Sequence, residues 1–174
     1  MSDWPTLEIP VQGTDSELIE FCWRYFCRTY IKTEDGTPIV LRDWRGTPVH
    51  FSRFAHDHIV SGDSNYREGL GAHDIPFVPA RAVRLPWIGR TLAGEAITEV
   101  RHQERASNRG RRLKRRVLIV TENSYVVVLD RQDDGCLRLR TAFPAEAAYL
   151  QRIRREGAQI EIHKPPAEKE KPQS

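Results

Sequence analysis

Three consecutive residues, His56, Asp57 and His58, sit inside the stretch Phe51-Ser-Arg-Phe-Ala-His-Asp-His-Ile-Val-Ser-Gly62 and raise a question of chemistry. An imidazole changes charge near neutrality, so it can take a proton from a ribose 2′-hydroxyl or give one to a departing 5′-oxygen. RNA cleavage by internal transesterification needs that exchange, together with cations or donors at the crowded phosphorus. Arginine suits the second task because its planar fork matches two phosphate oxygens. A His-x-His pair also invites a metal. On a helix, however, two residues lie about 200° apart, so His56 and His58 share an ion only in an extended segment. His73, His102 and the cysteines add no ligand at a familiar spacing, so neither a metal nor another cofactor is expected. Helical spacing of Phe51, Phe54, Ala55, His58 and Ile59 turns His58 inward and His56 outward. The same spacing suits a plain hydrogen-bonded His58 in a helix packed on a sheet, and a plain surface His56.

The cations are unevenly spread. Formal net charge is +3, yet residues 1–20 hold Asp3, Glu8, Asp15, Glu17 and Glu20 with no Lys or Arg. Arg101 to Arg116 hold eight basic side chains against one acid, Glu104. Arg111, Arg112, Lys114, Arg115 and Arg116 are candidates for contacts to a phosphate backbone, each adding salt-dependent affinity. A solubilising hairpin rim is the alternative reading of the same run. The run lacks aromatic residues, so it is not the stacking platform of a single-strand binder. Arg140 is a further candidate phosphate contact, and Thr141 offers a hydroxyl. Regular alternation puts Leu137, Leu139, Thr141 and Phe143 on one face and Arg138, Arg140 and Ala142 on the other. In a regular strand Arg140 and Thr141 cannot line one site.

The elements around these residues follow from periodicity and turn signals. Thr14-Asp-Ser-Glu17 reads as a capping box for an amphipathic helix over about Asp15 to Ile31. Ile39 to Trp44 and Val49 to Phe51 read as short strands, and Ser61 to Pro79 as a loop. Helical spacing resumes over Ala80 to Leu92, with Pro86 starting a new segment or kinking the old one. Strands follow at Ile97 to Arg101, Val117 to Thr121, Tyr125 to Asp130 and Cys136 to Phe143, joined by short turns. Pro144 marks a helix start, Glu146 to Arg155 a helix, and Gln159 to Ile162 an edge strand. The expected fold is α+β: an antiparallel meander of about four to five strands with N-terminal helices packed on one face.

The 174 residues, 39% hydrophobic and 29% charged, suit one domain over 1–163, with its core at about 39–157 and its N-terminal helix at 15–31. The tail 164–174 is expected to be disordered. Apolar runs are strand-sized and the N-terminus lacks the basic and apolar pattern of a signal peptide, so a cytoplasmic protein with no membrane partner is expected. Cys22, Cys27 and Cys136 are an odd set, read as reduced thiols that bind no metal.

Four pieces in order, Phe54-Ala-His-Asp-His58, Arg81-Ala-Val-Arg-Leu-Pro-Trp-Ile88, Tyr125-Val-Val-Val-Leu129 and Thr141-Ala-Phe143 with Tyr149-Leu150, resemble the phage-associated barnase/EndoU/colicin/RelE-like nucleases. The resemblance covers roughly residues 39–157. It implies a small α+β ribonuclease of toxin or phage-effector type that needs no metal. It implies His58 as general base or acid, with His56 as competitor because the histidine motif reads Phe-Ala-His-Asp-His. It implies Arg81 and Arg84 neutralising the pentacovalent phosphate, and Thr141 holding a non-bridging oxygen. RNA would be the substrate and an inhibitory immunity or antitoxin protein a partner. The rival expectation is a non-catalytic nucleic-acid or protein-interaction domain of the same fold.

Overall fold

The computed structural model describes residues 3–61, 76–107 and 109–166. Most of the expected Ser61 to Pro79 loop, His73 with it, and residues 167–174 of the expected tail lie outside the described residues. The helices are α1 (Asp15–Tyr30), α2 (Arg53–Val60), α3 (Pro79–Ala82), α4 (Leu85–Leu92) and α5 (Ala147–Glu156). The strands are β1 (Leu41–Arg42), β2 (Pro48–His50), β3 (Thr98–Ala106), β4 (Arg112–Val120), β5 (Tyr125–Arg131), β6 (Leu137–Pro144) and β7 (Ala158–His163).

The capping box at the start of α1 is formed: Thr14 N–H donates to Glu17 Oε2 at 2.8 Å and Glu17 N–H to Thr14 Oγ1 at 3.3 Å. Ile19, Cys22, Phe26 and Tyr30 make its buried stripe. Tyr30 reaches across to α4, where its hydroxyl donates to the Leu85 carbonyl at 2.6 Å and accepts the Gly89 N–H at 3.1 Å. A Cβ on Gly89 would stand 3.3 Å from the Tyr30 ring, so the missing side chain lets the two helices approach. Pro86 falls in the first turn of α4, where its absent N–H costs nothing, and the expected break before it separates α3 from α4.

The fold is α+β, but the sheet is wider than a four- to five-strand meander, and it is mixed. Seven strands run in the order β1-β2-β6-β5-β4-β3-β7. The expected meander is the antiparallel part, β6-β5-β4-β3, with β7 added at its edge. The additional pairing is β2 beside β6, and it is parallel. β1 and β2 are two and three residues long, too short for their alternation to declare a partner.

Helices cover both faces of the sheet rather than one. Helices α1, α2 and α4 cover one face around Phe26, Ile59, Leu85, Ile88, Leu118 and Leu139. The opposite face is covered as well: Leu150 and Ile153 of α5 pack with Val117, Ile119, Val126, Val128 and Phe143. Burial on both sides explains the unbroken apolar runs of β4 and β5, since a strand covered on two faces has no reason to alternate. A ten-residue helix is too short to persist alone. Burying Leu150 and Ile153, each worth roughly 1.5–3 kcal/mol, holds it to the sheet. Pro144 closes β6 rather than opening a helix, and α5 begins after Glu146.

Candidate functional site

A break in the regularity of β6 organises the site. Its register with β5 runs Val128↔Thr141 and then Leu129↔Leu139, so Arg140 is an extra residue with no partner, a β-bulge. Before it Leu137 and Leu139 face the first core; after it Ala142 takes that direction. The phase therefore flips at Arg140. Arg140 and Thr141, which a regular strand would put on opposite faces, both line one hollow of about 870 Å³ on the α5 side of the sheet.

Two helices complete the wall. β2 pairs with β6 only at Leu137 and Arg138, while α2 and α3 contact β6 directly. His58 from α2 and Arg81 from α3 reach the same hollow. His58 is 9% exposed, and its ring lies parallel to that of the half-exposed Phe54 with centroids 6.3 Å apart. The Arg81 guanidinium sits 5.5 Å from the Phe143 ring centroid, and among the described residues it forms no ion pair.

Among the described residues, five arginines, Arg81, Arg105, Arg109, Arg115 and Arg140, line the hollow against one carboxylate, Glu146, so their field favours an anion. Three of the five face acids outside the lining. Asp130 accepts from Arg115 Nε at 3.0 Å and stands 3.8 Å from Arg140 Nη1, and Glu156 accepts from Arg105 at 3.0 Å. Glu146 is the N-cap of α5, yet it makes no side-chain capping bond, so its carboxylate is not spent on the helix.

The other expected site residues lie elsewhere. The basic run of β4 is split by the pleat: Leu113, Arg115 and Val117 point to the hollow, whereas Arg116 pairs with the buried Asp43 at 3.1 Å. Arg111 pairs with Asp133 at 2.9 Å, Arg112 with Glu104 at 3.4 Å, and Lys114 is exposed. None of Arg111, Arg112, Lys114 and Arg116 lines the hollow. Arg84 does not line it either; its guanidinium lies 5.0 Å from the Trp87 ring centroid and donates to the Ala80 carbonyl at 2.5 Å. His56 is not the expected surface residue. It is fully buried, 5.4 Å from the Trp23 ring and 5.2 Å from that of Phe26, because α1 covers the side of α2 that spacing alone left open. Its Nδ1 meets Asp57 Oδ1 at 2.7 Å, its Nε2 has no hydrogen-bond partner among the described residues, and burial holds the imidazole below its ordinary pKa against the pull of Asp57.

Arg109 belongs to the basic stretch Arg109 to Arg116 read as a phosphate contact, whereas Arg105, Gln103 and Glu146 are site residues that no motif marks. One signal was present: β3 carries Glu99, Arg101, Gln103 and Arg105 at every second position, a polar stripe beside the buried Thr98 and Val100. Its inner members form a buried network. Arg101 donates to Glu99 at 2.5 Å and to the Arg154 and Gly157 carbonyls at 2.6 and 2.5 Å, and Arg154 donates to Glu99 at 3.0 Å. This ties the C-terminal end of α5 to β3 and so fixes the wall that carries Tyr149 and Ile153.

No family model, curated protein or solved structure matches this chain.

Proposed function

We propose that the hollow is the active site of a metal-independent endoribonuclease of toxin or phage-effector type. The reading rests chiefly on one observation: His58, Arg81, Arg140 and Thr141, drawn from three elements, all line the same cation-rich hollow. His58, rather than the enclosed His56, exchanges the proton. Transesterification needs one group to accept the 2′-hydroxyl proton and another to protonate the departing 5′-oxygen. Glu146, the carboxylate lining that hollow, is the complement to His58. The 2′-oxygen forms its bond to phosphorus as the bond to the 5′-oxygen breaks, leaving a 2′,3′-cyclic phosphate and a 5′-hydroxyl. Arg81 and Arg140 offset the charge on the non-bridging oxygens, and Thr141 donates its hydroxyl to one of them. Arg105 and Arg109 extend the positive surface to flanking phosphates. An immunity or antitoxin protein that inhibits it would be an acidic one, matched to these arginines.

A binding domain without catalysis is the second reading, favoured by the 9% exposure of His58 and by the acids that already hold Arg105 and Arg115. Incubating RNA with the purified protein in EDTA separates them. Catalysis gives cyclic-phosphate fragments, and both His58→Ala and Glu146→Gln lower the rate by about 100-fold or more, the usual contribution of a general acid or base, with RNA affinity retained. Intact RNA, or undiminished cleavage by His58→Ala, overturns the ribonuclease reading.

A further inference from the structure

The parallel pairing of β2 with β6 brings together side chains far apart in the chain. Val49 pairs with Leu137 and His50 with Arg138. Val49 and Leu137 face the core, so His50 and Arg138 share the outer face, and Cys136, two residues before Arg138, falls on that face too. The β5–β6 turn supplies a third group: Gly135, with φ of 84°, turns the chain, and Asp134 Oδ1 accepts the Cys136 N–H at 2.9 Å. The result is an imidazole nitrogen, a carboxylate oxygen and a thiol sulfur all within 4.8 Å of one another.

We infer that His50, Asp134 and Cys136 form a binding site for a zinc-class divalent cation, separate from the arginine-lined hollow. A thiolate and a carboxylate carry two negative charges, which a dication neutralises, and imidazole completes a donor set that zinc accepts and magnesium or calcium does not. Donors on a tetrahedral zinc stand about 3.3 to 3.6 Å apart, so atoms now within 4.8 Å of one another need close by no more than about 1.5 Å. His50 and Asp134 are exposed and Cys136 is half-buried, which leaves them room to rotate and leaves the fourth position to water. His50 and Asp134 also line a second hollow that meets the first at Arg140. Bound metal would thus fasten β2 to the turn just ahead of the bulge that presents Arg140.

The test uses the full chain, reduced and freed of metal with EDTA. Titration with cobalt(II) should raise a thiolate-to-cobalt charge-transfer band that zinc displaces, and zinc should raise the thermal midpoint. Cys136→Ser should abolish the band. His50→Ala and Asp134→Asn should each weaken zinc binding by about 100-fold or more, at least the loss seen when an outer-shell partner is removed. These positions lie outside the core, and circular dichroism checks that the variants fold. No band in the parent protein overturns the site, as does a band that survives Cys136→Ser, which would belong to Cys22 or Cys27. Unchanged zinc affinity in both other variants overturns it as well. RNA cleavage in EDTA is independent of these outcomes.

Discussion

His56 and His58 are two positions apart and have opposite circumstances. The helix turns one into the aromatic layer under α1 and the other to the edge of the arginine-lined hollow, so neighbours in sequence do not share a chemistry. His56 has a consequence of its own for stability. Burial lowers its pKa below the ordinary value of 6.5, so between those two values the unfolded chain binds more protons than the folded one. Stability is then complete above about pH 6.5 and falls as the pH drops from there toward the folded-state value. Thermal unfolding followed from pH 7.5 to 5 should show this decline. His56→Phe, which keeps a ring between Trp23 and Phe26 but has nothing to protonate, should flatten it. A decline that persists in His56→Phe would move its origin to His102, which burial and the nearby Arg131 and Arg116 also hold low.

The bulge in β6 shows why elements were legible and the site was not. The α1 capping box, the Pro86 break and the turns on either side of β5 are local signals, each decided within a few residues, and they agree with the observed boundaries, whereas β3 runs on to Ala106 and β4 starts at Arg112, through basic residues expected to form a loop. A bulge depends on what the neighbouring strand does, and nothing in Leu137-Arg-Leu-Arg-Thr-Ala-Phe143 states which residue will go unpaired. The period-2 reading therefore separates Arg140 from Thr141; alternation would put Arg115 and Arg116 on opposite faces, but the sequence signals start that strand only at Val117, whereas β4 starts at Arg112. The bulge also makes a sharp prediction. Deleting Arg140 leaves Leu137, Leu139 and Ala142 on the core face and Thr141 and Phe143 on the other, a fully regular strand, so the protein should fold with an unchanged or raised thermal midpoint. It should still lose one phosphate contact. The slope of log affinity for single-stranded RNA against log salt should shrink by about 0.7, as should that of Arg140→Ala. A deletion variant that unfolds would mean the bulge serves the sheet rather than the hollow.

For the whole molecule the decisive feature is that the sheet has two covered faces, with the first core built by the N-terminal helices and the second by α5. Sequence spacing revealed the first, because α1 and α4 carry long amphipathic stripes. The second was hidden, since α5 buries just Leu150 and Ile153, with Tyr149 partly buried beside Phe143, and leans on Glu99, Arg101 and Arg154, charged residues that composition assigns to the surface. Glu99 sits between two guanidiniums with only 8% of its side chain exposed. Glu99→Gln keeps the shape and removes the charge, leaving Arg101 enclosed without its counter-ion, while its Nε already lacks a partner among the described residues. Breaking one side of such a buried pair costs about 3 kcal/mol, which in a chain of this size lowers the thermal midpoint by about 6 to 12 °C. Because α5 supplies Tyr149 and Ile153 to the hollow, anion affinity should fall along with stability, even though Glu99 does not line the hollow. Replacing Glu99 and Arg101 together by glutamine and methionine should restore part of the midpoint, since no buried charge is then left unpaired. If the single variant unfolds at the parent temperature, α5 is held by its apolar contacts alone, and the network is a surface ion pair in all but position.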